Sequence, residues 1–105
     1  MKPLLDHQGL SIRLTDERLA HILEHPEMAG LEVAIAETLM APELVIRSLS
    51  DTTAQLYYRF YAETSLGNKF VCVVVKSRPP DDAFVLTAYL TDKPKKGAVL
   101  WEADK

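Results

Sequence analysis

The chain has 105 residues, which suits a single domain over residues 1–105 with one modest core. It carries 12 Lys and Arg against 15 Asp and Glu, a net charge of −3, so bulk charge gives no argument for a nucleic-acid partner. Its one cysteine, Cys72, rules out an internal disulfide and fits a reducing compartment. No apolar run reaches the roughly 18 residues a membrane span needs, and "MKPLLDHQGL" lacks the apolar stretch of a secretion signal. A cytoplasmic protein with no membrane partner is the expectation. The charge is unevenly spread: residues 1–45 hold three Lys/Arg against eight Asp/Glu, and residues 46–105 hold nine against seven.

In chain order, "SIRL" (11–14) reads as a short extended segment. A helix is predicted to begin at Thr15, a capping residue followed by Asp16 and Glu17, where the helix dipole favours acids. Leu19, Ile22 and Leu23 form its apolar stripe, and it should stop near His25, because a residue before proline is pushed out of the α region. Met28, Leu31, Ile35 and Leu39 repeat at helical spacing and predict a second helix from Met28 to Met40, with Pro42 after it. The period then changes to two. "LVIRS" (44–48), "LYYRFYAE" (56–63), "KFVCVVVKS" (69–77) and "AFVLTAYLT" (83–91) read as strands, separated by turn material. "VCVVV" is apolar at both parities, which predicts a central strand covered on both faces. The tail "DKPKKGAVLWEADK" is basic first and is expected to add a short edge strand ending at Trp101. The fold class that follows is α+β: an N-terminal helical hairpin packed on a mostly antiparallel four- to five-stranded sheet.

All three histidines lie in the first quarter, two of them in "HILEHPEM" (21–28). At about 100° per residue, with Leu19 as zero, Ile22 and Leu23 stay within about 60° of it, while His21, His25 and Arg18 fall near 200°, 240° and 260°. The histidines therefore leave the apolar face and form a polar stripe with Arg18, suited to a proton donor or an anion-binding cation, or to an ordinary solvated flank. "HILEH" also matches H-x-x-E-H, an inverted zinc-peptidase pattern. Pro26 ends the helix at the second histidine and no downstream histidine exists, so no metal and no cofactor is expected. Among the strands, alternation places Tyr57, Arg59 and Tyr61 on one face, and Val85, Thr87, Tyr89 and Thr91 on one face, opposite Phe84, Leu86, Ala88 and Leu90. A surface of Arg59, Tyr57, Tyr61, Thr87 and Tyr89, extended by Lys76, Arg78, Lys93, Lys95 and Lys96, would hold a phosphate and stack a base, or be a plain solvent-facing sheet.

"HILEHPEM", "ETLMAPELVIRS", "LYYRFY", "KFVCVVVK", "FVLTAYLTD" and "KKGAVLW" together resemble the phage-type nuclease family of the barnase–EndoU–colicin–RelE-like superfamily, over about residues 12–101. The resemblance implies two N-terminal helices followed by an antiparallel sheet, and a metal-independent ribonuclease or toxin-like RNA-binding domain. It implies a catalytic set of His21, His25, Arg59 and Thr87, with Tyr57, Lys76, Tyr89 and Lys93 binding substrate. It also implies RNA as a partner and leaves open an antitoxin or immunity protein and a homodimer. Where the family carries an aromatic before the first histidine and an arginine before "HPE", this chain has Ala20 and Glu24. Those two positions, with the acidic helices, favour the alternative: a non-catalytic protein- or RNA-interaction module on the same fold.

Overall fold

A computed structural model describes residues 3–103. The chain is α+β, with two helices in its first half and one five-stranded antiparallel sheet. A two-stranded hairpin, β1 (Leu4–Leu5) and β2 (Ser11–Ile12), leads into helix α1 (Asp16–Leu23). Thr15 caps α1, its hydroxyl accepting from the Arg18 N–H at 3.0 Å. The helix ends at Leu23, slightly earlier than predicted, and His25 is extended (φ −71°, ψ 121°), as the proline after it requires.

Met28 does not begin the second helix. Pro26–Met28 form a 3₁₀ turn, Gly30 adopts a positive φ of 79°, and α2 runs only over Glu32–Met40. A left-handed residue breaks the helical path, and glycine accepts it without a Cβ clash. Met28 is nonetheless fully buried beside Ile35 and Leu39, so the apolar spacing was real although the helix was shorter. The two helices pack on the sheet, α1 on its edge strand and α2 on its interior strands.

The sheet strands are β3 (Leu44–Ser48), β4 (Ala54–Thr64), β5 (Gly67–Arg78), β6 (Asp82–Thr91) and β7 (Gly97–Glu102), in spatial order β6-β5-β4-β3-β7. The tail strand is an edge strand, as expected. The "VCVVV" strand lies beside the other edge, and β4 is central. The helices bury the inner face through Ile22, Ile35 and Leu39 against Val45, Tyr57, Val71, Val73 and Val75. Outer-face residues form a second, smaller cluster of Ile46, Leu56, Tyr58 and Cys72. Residues 92–96 must carry the chain from one edge of the sheet to the other. They cross this outer face, where the Lys95 N–H donates to the Tyr58 hydroxyl at 3.1 Å.

Two packing details lead to predictions. A Cβ added at Gly97 would collide with the Arg47 backbone carbonyl and sit 3.1 Å from Ile46 Cδ1. Backbone cannot rotate aside, so Gly97→Ala is expected to cost about 1–3 kcal/mol. Denaturant unfolding checks this, and a variant as stable as wild type would contradict it. The second concerns the four tyrosines, Tyr57, Tyr58, Tyr61 and Tyr89. Burial pushes Tyr58 and Tyr61 up to about 12, and Tyr57 and Tyr89 higher still. An unfolded tyrosine titrates near 10. Stability is therefore intact below about pH 10, and it falls above that pH as the unfolded chain releases protons the native chain keeps. Tyrosinate absorbance should appear well above pH 10 in native protein and near pH 10 in denaturant; superimposable titrations would refute the burial.

Candidate functional site

The edge strand β6 does not alternate regularly. Val75 pairs with Val85, but Val74 pairs with Thr87, leaving Leu86 as an extra residue. This β-bulge reverses the parity of everything before it. Ala83, Val85, Ala88 and Leu90 belong to the inner core, while Thr87, Tyr89 and Thr91 lie opposite Val74, Cys72 and Phe70 on the outer face. Phe84 therefore shares a face with Thr87, not with Ala88, which corrects the strict alternation expected from sequence.

Leu86 and Thr87 help to line a groove of about 210 Å³ with Arg18, His21, Ile22 and His25. Helix α1 lays its polar stripe along the edge of β6 because its apolar stripe, led by the buried Ile22, is turned into the core. His21, His25 and Arg18 are exposed. His21 Nδ1 lies 3.8 Å from the Glu24 carboxylate, the residue that stands where the resemblance expects arginine. The groove thus offers two imidazoles, a guanidinium and a hydroxyl-bearing residue. Those groups suit a phosphodiester, with cations for the anion and nitrogens that give or take protons.

The other expected site residues are elsewhere. Tyr57, Arg59 and Tyr61 are on the inner, helix-covered side of β4, so they do not share a surface with Thr87 and Tyr89. Tyr57 is 1% exposed, and its hydroxyl donates to Asp6 Oδ2 at 2.8 Å, so it cannot stack a base. Arg59 donates to the Ala41 carbonyl at the end of α2 (2.7 Å), Tyr61 donates to Glu37 (2.7 Å), and neither lines the groove. On the outer face, Lys76 is engaged by Asp51 at 2.8 Å, and this lysine with Thr53 holds the Asp51 carboxyl down to about 2. Tyr89 lies against Cys72 and Tyr58, with Lys95 Nζ 6.0 Å from its ring centroid. Lys93 is an exposed residue of the crossing segment, and its carbonyl accepts from the Thr91 hydroxyl. Cys72 is fully buried, and burial raises its thiol to about 11, so it is packing, not a nucleophile.

Sequence reasoning missed Arg13 and Asp6. Arg13 bridges β2 to β6: its N–H donates to the Ala83 carbonyl (2.9 Å), and its own carbonyl accepts from Val85 (2.8 Å). Its guanidinium grips Asp82 through two nitrogens, at 3.0 and 2.9 Å. That contact holds the Asp82 carboxyl below the usual carboxylate range. Neither residue sits in a spacing pattern that announces it. Among the described residues no three or more His, Cys, Asp or Glu converge as a metal site would require, and no helix is long and apolar enough to cross a membrane. No family model, no curated protein sequence and no solved structure matches the chain.

Proposed function

We propose that the groove between α1 and the bulge of β6 binds the RNA backbone and cleaves it without a metal. The carrying observation is that His21, His25, Arg18 and Thr87 line one groove. One imidazole takes the ribose 2′-OH proton, O2′ bonds to the adjacent phosphorus, and the P–O5′ bond breaks as the second imidazole protonates O5′. The products are a 2′,3′-cyclic phosphate and a 5′-hydroxyl. Arg18 balances the negative charge of the transition state; Arg59 and Lys76 do not, since the Ala41 carbonyl and the Asp51 carboxylate hold their cations away from the groove. Thr87 positions the phosphate. The order of two helices and an antiparallel sheet supports the likeness to the phage-type nucleases, and the free, buried Cys72 supports a cytoplasmic setting.

The test is incubation of pure, folded protein with a mixed-sequence oligoribonucleotide and its 2′-deoxy counterpart, in EDTA. Cleavage of the RNA alone, leaving cyclic phosphate ends, is expected. Cleavage lost in EDTA, or equal on both strands, rules out the mechanism. A second reading, a non-catalytic interaction module, is favoured by the outer face. Phe60, 43% exposed, stands 5.4 Å from Phe70 between ring centroids there, and Val99 on the edge strand β7 is 60% exposed. RNA or protein binding without cleavage of any RNA selects it, and an antitoxin-like protein or a second copy of the chain belongs to this reading.

A further inference from the structure

The groove does not end at Arg18. Beyond that side chain lies a second cleft of about 180 Å³, lined by Arg13, Thr15, Arg18, Arg78, Phe84 and Val85. Arg18 lines both clefts, and four consecutive residues of β6 run through them: Phe84 and Val85 in one, Leu86 and Thr87 in the other. That stretch spans about 10 Å of strand.

Three guanidiniums gather in this second cleft. Arg13 and Arg78 place their Cζ atoms 5.4 and 5.2 Å from the Phe84 ring centroid, so one aromatic ring positions both. Asp82 fixes the Arg13 guanidinium through two hydrogen bonds. Arg18 and Arg78 form no ion pair among the described residues. Asp16 and Glu17 lie on the same first turn of α1 as Arg18 but do not line the cleft. Three arginines against one paired carboxylate leave the cleft with excess positive charge, on a chain whose net charge is negative.

We infer that this cleft is a second phosphate subsite, continuous with the histidine groove. It takes the neighbouring phosphate of a single RNA strand laid along the edge of β6. The reacting phosphate sits at His21, His25 and Arg18; the next is held by Arg78 and by Arg13, oriented by Asp82, with Arg18 standing between the two. The ligand class is thus an oligonucleotide with at least two successive phosphates, not a mononucleotide. This rests on the reading of the groove as an RNA-backbone site, and it adds where the strand runs and how much of it is gripped.

Non-cleavable 2′-deoxy oligonucleotides with one, two and three phosphates separate the possibilities, with affinity measured by fluorescence anisotropy at several salt concentrations. Wild type is expected to gain about tenfold in affinity when the second phosphate is added, and its salt slope to steepen by about 0.7. Arg78→Ala is expected to lose that step and Arg78→Lys to keep most of it. Arg47→Ala, which removes an exposed cation outside both clefts, is expected to keep the step whole. No step in wild type, a step that survives in Arg78→Ala, or equal loss in Arg47→Ala overturns the subsite. A step in a protein that cleaves no RNA upholds the subsite and removes only the catalytic reading. RNA cleavage with no step removes only the subsite.

Discussion

His25→Ala is expected to reduce RNA cleavage by about 10²–10⁴-fold, the usual contribution of one positioned acid or base. Stability should stay within about 0.5 kcal/mol of wild type, because the side chain is exposed and makes no ion pair among the described residues. His21→Ala should fall in the same range, and the double variant should lose little more than either single one, since both act in a single step. Arg18→Ala should weaken binding as well as turnover, because a guanidinium attracts the phosphate before and during reaction. The assay is single-turnover cleavage of one oligoribonucleotide in EDTA, with circular dichroism as the folding control. Wild-type rates in both histidine variants of a protein that does cleave RNA would place the chemistry elsewhere.

The largest effect on stability is expected at Asp6. Asp6 is 5% exposed, and its carboxylate satisfies three donors: the Gln8 and Leu10 N–H groups, each at 2.9 Å, and the Tyr57 hydroxyl at 2.8 Å. Asp6→Ala leaves those donors unpaired, with Tyr57 in the core, and should cost about 2–4 kcal/mol. Tyr57→Phe removes one donor together with its need for a partner and should cost about 1 kcal/mol. The double variant should then be less destabilised than the two single costs added, because the second change removes part of what the first left unsatisfied. Urea unfolding of the four proteins measures this cycle. Strict additivity, or an Asp6→Ala variant within 0.5 kcal/mol of wild type, would show that the contact contributes little.

Much of the fold was legible in advance. Thr15 caps where a threonine before two acids should, and α2 ends at Met40 as its apolar spacing predicts. β3 spans 44–48, as read from "LVIRS", and the longer strands differ only at their ends. The failures have separate physical causes. Met28 satisfied the helical period from within a 3₁₀ turn, because a buried position can be filled by any backbone that points the side chain inward. Alternation in "LYYRFY" puts Tyr57, Arg59 and Tyr61 on one face, which polarity marks as the outer one, yet that face turns inward. Tyr57 and Tyr61 pair their hydroxyls with Asp6 and Glu37, and Arg59 reaches the end of α2. An amphipathic side chain whose polar tip finds a partner can serve as core, and no local pattern says which tips will find one.

By itself, the sequence determined the α+β class, the start of α1 and the end of α2, the approximate spans of the four strands from β3 to β6, and the exile of His21, His25 and Arg18 from the core, because these depend on periodicity within a few residues. Only the tertiary structure decided which sheet face the helices cover, where the bulge at Leu86 resets parity, and that Thr87 rather than Arg59 meets the histidines. It also decided that Arg13, Arg18 and Arg78, separated by up to 65 positions in the chain, gather along one edge strand. Strand order and register follow from the free energy of packing the whole sheet against the helices, a sum over distant contacts that no short stretch of residues encodes.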